Sequence, residues 1–406
     1  MAREPKESTE QSEKNPCSSE TRACPGCDCT EWTDFFEARN LPVNVGVFYD
    51  DPRAAIASPT GDVILSFCHG CGLIFNRLFE PDKVSYEPGY EVALHHSETF
   101  RNFMEGVADK LIGSFDLHDK DILEIACGCG YFLRLLCERG PNRGVGIDPT
   151  VRWEKAEQVG QGSVRFIRDF FSDRYAEIPA DFICCLSAFE HIPRPLSFLK
   201  TLRRAVGDRQ PGIYFEVFNA WAAFRRQDTW SVHYEQCNYF SQGAFANIFR
   251  RAGFDVLEAG PCYEGDQYLF VTAAPSNRHT GGAPKYLEMP SELLRFNESY
   301  EQKRAMWRER LENYAKAGRR AVLWGTGGKG ITFLNSLDTS TVIPYVVEIN
   351  PEKHGKRVPG TGQLICPPRR LAQDAPDVVI ITNALYELEM RRQARDIGVE
   401  CEFLVA

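Results

Sequence analysis

The stretch that decides the fold is Asp121–Gly130, DILEIACGCG. It begins with a short apolar run that carries one acidic residue, Glu124, and it breaks into a turn with glycines at positions 128 and 130. A helical pattern over Tyr131–Arg139 follows at once. Strand, tight turn and helix start in this order bring backbone N–H groups and the helix dipole to a ligand. The stretch therefore predicts a βα unit of a doubly wound sheet with a binding site at its turn.

A carboxylate closes the next predicted strand. The apolar run Gly144–Ile147 ends in Asp148. A doubly wound sheet offers a carboxylate to ribose hydroxyls at this place, about twenty residues beyond the turn. A plain βα turn would need the glycines but no acidic residue here, so we favour a nucleoside-binding site over a turn alone.

These residues resemble the cofactor loop of class I S-adenosylmethionine methyltransferases, through E-x-x-C-G-x-G at Glu124–Gly130 and V-G-I-D at Val145–Asp148. The turn lacks the first glycine of a dinucleotide fingerprint. The resemblance implies that the two glycines let the backbone approach the methionine part and that Asp148 binds the ribose. It also places Asp169 beside the adenine, although Asp169 suits a helix cap as well. The predicted cofactor residues are Glu124, Cys127, Gly128, Gly130, Asp148, Asp169 and Phe170.

Length and composition limit the class of protein. With 406 residues the chain has room for about two or three domains. A net charge of -9 and 25% charged residues favour a soluble protein and argue against general nucleic-acid binding. No apolar run approaches a membrane span, and the opening MAREPKESTE has no apolar signal core, so we expect a cytoplasmic protein. In such a chain, 15 cysteines predict metal ligands or buried thiols rather than disulfides.

Two C-x-x-C knuckles predict a zinc site near the N-terminus. Four thiolates can close a tetrahedral ion, and the glycine inside each knuckle permits the tight turn that aims both sulfurs at it. We interpret the site as structural, because four thiolates leave no open position for a water. Four unligated cysteines in a reduced core are the alternative. The predicted ligands are Cys24, Cys27, Cys68 and Cys71.

The order of these motifs resembles three-domain sugar C-methyltransferases, which act on nucleotide-linked keto sugars. Pro42–Asn44 and Cys68–Asn76 look like the zinc-binding N-terminal module of that family. The resemblance implies an α/β protein with a Rossmann-like class I methyltransferase core and a second Rossmann-like domain after it. The predicted division is a disordered lead-in at 1–21, a zinc-binding module at 22–82, the core at 83–277 and a substrate-side domain at 278–406.

Alternating and apolar runs predict the other elements of the first two domains. In the zinc module we expect strands at Pro42–Tyr49, Asp62–Phe67 and Gly72–Asn76. A helix over Ser97–Ile112 should lead into the core. The later core strands are predicted at Val164–Ile167, Phe182–Ser187, Gly212–Val217, Phe254–Glu258 and Tyr268–Thr272, the last two as a hairpin.

The family resemblance also places two side chains beside the sugar. One is a tyrosine of the linker into the core, for which Tyr90 is the better match and Tyr86 the second. The other is His191, just beyond the fourth core strand. A histidine at such a strand end faces the ligand crevice and exchanges protons near neutral pH. A packing role for the tyrosine and a helix-start role for the histidine are the alternatives.

The segment Trp230–Ser241, WSVHYEQCNYFS, departs from the family at one position. It matches a pattern close to Y-E-H-x-x-Y-F-S, but Gln236 stands where the family has its catalytic histidine. Glutamine cannot act as a base. C-methylation beside a ketone needs a base for a carbon-bound proton and donors for the enolate oxygen. Either another group takes the proton, or a hydroxyl, an amine or an already acidic carbon is methylated. The predicted catalytic residues are Tyr90, His191, His233, Tyr234, Glu235 and Gln236, with His233, Glu235 and His191 as candidate bases.

The last third of the chain carries a second glycine-rich loop. The run Ala321–Trp324 leads into Gly325–Gly330, a formal G-x-G-x-x-G, and Tyr345–Glu348 supplies an acidic strand end. This pattern alone is compatible with an NAD domain. The family resemblance, which extends to a loop at Pro359–Gly362, implies a domain that binds no dinucleotide and holds the nucleotide part of the substrate. We favour that role because methyl transfer has no task for a redox cofactor. The charged helix Ser291–Lys316 is expected to be mainly a solvated connecting face.

Together these patterns predict a zinc-containing, S-adenosylmethionine-dependent methyltransferase of a small polar metabolite. The leading reaction is C-methylation of a nucleotide-linked keto sugar through an enolate. The alternatives are O- or N-methylation of a sugar or natural product, a noncatalytic protein that binds the cofactor or a nucleotide sugar, and an NAD-dependent sugar oxidoreductase. We expect a small-molecule partner, and neither nucleic acid nor a membrane.

Overall fold

The computed structural model describes residues 23–276, 288–337, 339 and 341–406. The predicted lead-in at 1–21 lies outside these residues. Over the described residues the chain forms three sheets. In the same ranges, no helix has the length and apolarity needed to cross a bilayer.

The elements are numbered in chain order. The strands are β1 (Trp32–Pro42), β2 (Thr60–Cys68), β3 (Ile74–Asn76), β4 (Asp121–Ile125), β5 (Arg143–Ile147), β6 (Ala156–Val159), β7 (Gly162–Ile167), β8 (Phe182–Leu186), β9 (Gly212–Phe218), β10 (Asn238–Tyr239), β11 (Phe254–Cys262), β12 (Tyr268–Pro275), β13 (Ala321–Trp324), β14 (Tyr345–Val347), β15 (Leu364–Cys366), β16 (Val378–Ile381) and β17 (Glu402–Val405). The helices are α1 (Pro52–Ile56), α2 (Glu98–Phe115), α3 (Tyr131–Arg139), α4 (Pro195–Val206), α5 (Ala220–Arg225), α6 (Gln242–Arg251), α7 (Ser291–Leu294), α8 (Phe296–Lys316), α9 (Gly328–Ser336), α10 (Arg370–Asp374) and α11 (Glu387–Asp396).

The N-terminal sheet is antiparallel, in the order β1-β2-β3-β10. Its last strand comes from far along the chain, since Asn238 pairs with Phe75 and Tyr239 with Ile74. The segment that follows Gln236 is therefore built into the N-terminal sheet. The predicted division of the chain at residue 82 stays a prediction.

The predicted strand at Pro42–Tyr49 is wrong. β1 ends at Pro42, and the following residues form a loop that has only an isolated bridge between Tyr49 and Arg357. Proline has no N–H for a ladder hydrogen bond. The side chain of Asn44, rather than a neighbouring strand, holds this loop by bonding the backbone of Ser85. The apolar alternation of the sequence reflects buried loop residues.

The core sheet has the order β11-β12-β9-β8-β4-β5-β7-β6. Five of its strands are parallel: β4, β5, β7, β8 and β9. Beside β9, the sheet ends in the antiparallel hairpin of β11 and β12. The predicted core strands and hairpin are confirmed, as are α2 and α3. The short polar strand β6 was not predicted, because AEQV carries no apolar run. β5 and β8 flank β4 on opposite sides, so the crevice where ligands bind in such sheets opens at the carboxyl end of β4.

The C-terminal sheet is parallel, in the order β15-β14-β13-β16-β17. It is a second Rossmann-like unit, with the glycine-rich loop Gly325–Gly330 leading from β13 into α9. β14 and β16 flank β13, so the carboxyl end of β13 is the second switch point of the chain.

The predicted helix at Ser291–Lys316 differs from the observed one in two ways. It is divided at Arg295 into α7 and α8. α8 is also more than a solvated face, because Phe296, Tyr300, Trp307 and Leu311 are buried. Their spacings of four, seven and four residues place them in one apolar stripe.

One hydrophobic cluster joins the N-terminal sheet to the C-terminal domain. It contains Phe36 of β1, Val63 of β2, Trp230 and Phe333 of α9, among others. The Trp230 ring packs edge-on against Phe333 at 5.2 Å. The segment after β9 is therefore held between the first and the last sheet.

Candidate active site

A cavity of about 760 Å³ lies where the core, the N-terminal module and the C-terminal domain meet. This volume falls within the range of about 300–1,000 Å³ that is typical of small-molecule sites. Its lining comes from a linker, 84–97, that we call the strap, from the carboxyl ends of the core strands, from residues 231–236 and from the loop Gly325–Gly330. The strap has no regular secondary structure before α2 begins.

The turn after β4 and the carboxylate after β5 form one hydrogen-bonded unit. Gly128 N donates to Asp148 Oδ2 at 2.8 Å, and the N–H and hydroxyl of Thr150 donate to Oδ1 at 2.7 and 2.6 Å. Gly128 has a φ of 54°, and a Cβ built on it would have no atom within 4 Å. The turn thus leaves open space beside a fixed carboxylate at the carboxyl end of the sheet, where a ribose and its neighbours fit.

Gly130 has a different role from Gly128. It does not line the cavity; it is the N-cap of α3, with a φ of 75°. A Cβ at this position would lie 2.3 Å from the ring of Phe166. Gly130 is therefore required for the close approach of the helix to the sheet.

Glu124 and Cys127 lie against the cavity as buried polar groups. Oε2 of Glu124 is buried without a hydrogen-bond partner, and burial raises the pKa of this carboxyl to about 8. Burial also raises the pKa of the Cys127 thiol well above its ordinary value. An orphaned acid aimed into a cavity is a position that a ligand donor can satisfy.

The predicted adenine-side residues are at the rim. Phe170 lines the cavity and is 62% exposed. Asp169 accepts from the N–H of Phe170 and from the hydroxyl of Tyr175. The helical turn that follows begins at Asp173, with Ser172 as its N-cap, so Asp169 is not a helix cap.

Glu235 is the hub of the predicted catalytic segment. Oε1 accepts from the Tyr90 hydroxyl at 2.6 Å. Oε2 accepts from Val45 N at 3.0 Å and from Asn44 Nδ2 at 3.3 Å. The side chain is buried. Its donors come from the strap and from the N-terminal module, which sequence spacing alone could not bring together.

His191 is oriented by the backbone carbonyl of Glu235. Its Nδ1 lies 3.0 Å from the carbonyl oxygen of Glu235. A carbonyl oxygen only accepts, so Nδ1 carries the hydrogen, and in the neutral imidazole the lone pair is on Nε2. His191 lines the cavity and is only partly buried.

His233 also lines the cavity but in a different setting. Its ring lies against Gly328, where a Cβ would come within 2.6 Å of it. Nδ1 is buried without a partner, and burial lowers the pKa of this imidazole from 6.5 to about 3. An imidazole with such a pKa holds a proton weakly.

Gln236 and Tyr234 face different parts of the molecule. Gln236 is buried, lines the cavity and makes one long hydrogen bond, from Nε2 to the Asn238 carbonyl oxygen at 3.4 Å. Tyr234 does not line the cavity; its hydroxyl accepts from Glu80 N at 2.9 Å and its ring lies against Gly61. The Tyr234 side chain therefore points into the N-terminal module rather than into the cavity, and its catalytic role stays a prediction.

Sequence reasoning missed two acids in the lining, and Tyr86, the second match for the linker tyrosine, lines it as well. Glu190 is buried, with Oε1 accepting from Phe218 N and Oε2 without a partner. Glu216 accepts from Tyr214 and Ser187, and burial raises its pKa to about 8. Tyr86 has a buried hydroxyl without a partner. The signal for Glu216 was present, since GIYFEVF sets one glutamate inside an apolar strand.

The second glycine-rich loop faces the same cavity, but the carboxylate after the next strand, Glu348, is already hydrogen-bonded within the protein. Glu348 accepts four hydrogen bonds from Thr326, Ile349 and Asn350, at 2.5 to 3.0 Å. Lys353 lies 3.8 Å from it. In a dinucleotide domain this carboxylate would bind ribose hydroxyls. Here the loop itself uses the carboxylate.

The four predicted zinc ligands lie together at the edge of the N-terminal sheet. Cys24 Sγ is 3.7 Å from Cys71 Sγ, and Cys27 Sγ is 3.5 Å from Cys68 Sγ. All four sulfurs lie within 4.8 Å of one another. A tetrahedral zinc ion with Zn–S bonds of about 2.3 Å separates its sulfurs by roughly 3.8 Å. The spacing of this cluster fits such an ion.

Three solved structures illustrate the likeness of the core to known proteins. A SAM-dependent methyltransferase from Aquifex aeolicus is 20% identical, with 41% of this chain and 89% of that chain covered and a TM-score of 0.33. Magnesium protoporphyrin IX methyltransferase from Synechocystis PCC 6803 with bound SAH is 14% identical, with coverage of 46% and 89% and a TM-score of 0.35. The 1,6-didemethyltoxoflavin-N1-methyltransferase of Burkholderia thailandensis is 16% identical, with 44% of this chain and 82% of that chain covered and a TM-score of 0.31. No curated protein matched the chain.

Two family models match separate parts of the chain. One describes a methyltransferase domain and matches residues 98–259. The other describes a C-methyltransferase C-terminal domain and matches residues 283–405. The first match contains the turn after β4 and the carboxylate after β5, and the second contains the glycine-rich loop of the last sheet. With both matches on one chain, this protein is an S-adenosylmethionine-dependent methyltransferase that carries a C-methyltransferase C-terminal domain.

Proposed function

We propose that the protein C-methylates a nucleotide-linked keto sugar. The observation that carries the proposal is that one cavity is lined by the cofactor loop, by His191, Glu235 and Gln236, and by the loop Gly325–Gly330. Cofactor, reacting carbon and nucleotide can therefore share a single site.

Glu124, Gly128 and Asp148 suit S-adenosylmethionine. The open space at Gly128 and the fixed carboxylate of Asp148 accommodate the ribose, and the orphaned Oε2 of Glu124 can accept a hydrogen bond from the methionine part. When bound, this cofactor supplies an electrophilic methyl group on a sulfonium with a good leaving group.

Among the three candidate bases, we assign the role to His191. The carbonyl of Glu235 fixes its tautomer and leaves the Nε2 lone pair for the substrate proton. Both oxygens of Glu235 already accept hydrogen bonds, from three donors in all, so this carboxylate is held in place away from the substrate proton. His233 is a weak base because burial lowers its pKa to about 3. His191 takes the proton from the carbon beside the ketone, and the electron pair left on that carbon would accept the methyl group as the cofactor left as a neutral thioether.

Gln236 can replace the family's histidine as a donor, though not as a base. Its amide has two N–H donors, and the long bond to Asn238 leaves them weakly engaged. The unpartnered Tyr86 hydroxyl is a second donor in the same lining. Donors placed where the enolate oxygen develops lower the barrier to proton removal.

The C-terminal domain supports the nucleotide side of the proposal. The loop Gly325–Gly330 starts α9, whose N-terminus attracts phosphate groups. Lys329 and Lys353 line the same end of the cavity. Glu348 is occupied by its own loop, so a ribose of NAD would find no free carboxylate there. A nucleoside diphosphate therefore suits this end better than a dinucleotide.

A zinc ion bound by Cys24, Cys27, Cys68 and Cys71 completes the proposal. The cluster is outside the cavity lining and closes all four tetrahedral positions. We assign it a structural role.

Proton exchange without methyl transfer tests the reaction. The protein is incubated with S-adenosylhomocysteine and nucleoside diphosphate keto sugars in D₂O, and loss of the proton signal beside the ketone is followed by NMR. We expect exchange with the parent, a fall of roughly hundredfold or more for His191→Asn, and a small effect for the control His233→Asn. Calorimetry should give the same S-adenosylhomocysteine affinity for all three.

Three results would contradict the proposal. Saturable NAD binding without S-adenosylmethionine binding would replace it with an oxidoreductase. Tight cofactor binding without exchange or methyl transfer to any such sugar would favour a noncatalytic protein. The third result is a product methylated on oxygen or nitrogen, which NMR of the product made with a ¹³C-methyl donor would distinguish from a C-methyl product. This second candidate function is favoured by Gln236, which stands in place of the family's histidine.

A further inference from the structure

Asn44 of the N-terminal module contacts both the strap and Glu235, and no step of the proposed reaction assigns it a role. Its Oδ1 accepts from Ser85 N at 3.3 Å, and its Nδ2 donates to Ser85 O at 3.2 Å. The same Nδ2 donates to Glu235 Oε2 at 3.3 Å. The side chain is buried, with 7% of its surface exposed. One amide thus joins the strap to Glu235.

The next two residues extend the same contact. Val45 N donates to Glu235 Oε2 at 3.0 Å, and Gly46 O accepts from Glu91 N at 2.7 Å. The ring of Tyr90 lies against Gly46, where a Cβ would come within 2.5 Å of it. Three consecutive residues therefore fix the start of the strap, its tyrosine and the glutamate that this tyrosine contacts.

The arrangement fixes Tyr90 and Glu235 relative to the cavity. The Tyr90 hydroxyl donates to Glu235 Oε1 at 2.6 Å, so Glu235 is held on one oxygen by the strap and on the other by the N-terminal module. The carbonyl of Glu235 in turn orients His191. Displacement of the Asn44 amide would reach both side chains through Glu235.

We propose that Asn44 is a positioning residue for methyl transfer, which locks the strap onto Glu235 so that Tyr90 and His191 keep their places beside the acceptor. The inference rests on the proposed function of that site. Asparagine suits the task because its amide both donates and accepts, whereas aspartate only accepts when ionised and leucine does neither. Aspartate would also place a second negative charge beside Glu235.

The test compares Asn44→Ala and Asn44→Asp with a matched control, Val63→Ala. Val63 is fully buried in β2 of the same module, so its truncation destabilises the module without removing a bond to the strap or to Glu235. We expect kcat with a nucleoside diphosphate keto sugar to fall roughly tenfold to hundredfold for both Asn44 variants. KM and the affinity for S-adenosylhomocysteine should change less than threefold, and Val63→Ala should keep its kcat despite a lower Tm.

Hydrogen exchange supplies a readout that needs no substrate. Amides of residues 85–97 should exchange several times faster in Asn44→Ala than in the parent and in Val63→Ala, while amides of β4 and β5 stay unchanged. Unchanged strap exchange in the Asn44 variants, or a fall in kcat that Val63→Ala shows to the same extent, would overturn the proposal. A parent that methylates no nucleotide sugar, combined with faster strap exchange in Asn44→Ala, would instead reject the proposed function and leave the lock by Asn44 in place.

Discussion

The glutamates of the cavity differ in the number of donors around each carboxyl group. Glu235 accepts from three donors and Glu348 from four, whereas one oxygen each of Glu124 and Glu190 has no partner. Burial without enough donors favours the neutral acid. Burial accordingly raises the pKa of the Glu124 and Glu190 carboxyl groups, while Glu348 serves its own loop.

Glu216 provides a pH test of this difference. Its pKa is about 8 in the folded protein, raised mainly by burial, against an ordinary value of 4.5. Between these pH values the folded state keeps a proton that the unfolded chain has lost, so the contribution to stability is full below 4.5 and is lost as pH rises through 8. We expect Glu216→Gln to gain in Tm relative to the parent as pH rises from 5 to about 9. Differential scanning calorimetry without ligand checks this; a constant difference would refute it.

At the scale of the secondary-structure element, the two glycines of the turn after β4 are required for different reasons. Gly128 needs only a positive φ, with open space around a Cβ, whereas Gly130 needs both a positive φ and room beside the Phe166 ring. Gly130 also starts α3, so its strain acts on the packing of a whole helix against β7.

The pair of alanine substitutions separates these constraints. We expect Gly128→Ala to lower the free energy of unfolding by about 1–2 kcal/mol, the strain of a left-handed alanine. Gly130→Ala should cost clearly more, because the methyl group also displaces Phe166. Urea unfolding of both variants checks the order. Equal losses would mean that the ring moves aside freely.

The metal cluster is linked to the cavity through one hairpin. Cys68 ends β2, Cys71 precedes β3, and β3 pairs with β10 directly after Gln236. Asn76 N also donates to the Cys237 carbonyl oxygen at 2.9 Å. A change in the knuckles can therefore reach the segment 233–239 along two strands.

Metal removal tests this link. We expect native mass spectrometry to show one zinc per chain, lost on treatment with a strong chelator under reducing conditions. Hydrogen exchange should then rise in β2, β3 and β10, because a small module depends on metal for part of its stability. The affinity for S-adenosylhomocysteine should fall much less, since β4 and β5 lie in another sheet. Protection of β10 that survives metal loss would contradict the link.

For the whole molecule, the clearest contact between distant parts is the set of hydrogen bonds between Glu389 and the N-terminus of α2. The carboxylate of Glu389, in α11, accepts from the Ser97 hydroxyl at 2.7 Å and from the N–H groups of Glu98 and Thr99 at 3.1 Å. A residue of the C-terminal domain thus satisfies donors at the N-terminus of a core helix. Phe100 and Met104 of that helix line the cavity.

Loss of these hydrogen bonds should loosen the contact between the C-terminal domain and α2. We expect Glu389→Ala to lower the free energy of unfolding by about 1 kcal/mol, as for a lost helix cap, and to speed amide exchange at 98–101. Glu309→Ala, on the exposed side of α8, is the control and should change neither quantity. Small-angle X-ray scattering would then report a larger radius for the Glu389 variant alone. An unchanged radius and unchanged exchange would show that other contacts hold the domains.

The sequence by itself determined the parallel strands of the core sheet, the two glycine-rich loops and the paired cysteines, because each depends on residues within one or two elements. Apolar runs, turn glycines and C-x-x-C spacing act over short distances, so β4, β5 and α3 were predicted to within one residue, whereas the polar strand β6 was missed. Only the tertiary structure decided the environment of the site. Asn44, Tyr90, His191 and Glu235 are far apart in the chain, and the direction of Tyr234 depends on β10 joining the N-terminal sheet. Burial, orphaned donors and shifted protonation arise from the packing of distant segments, which no local pattern records.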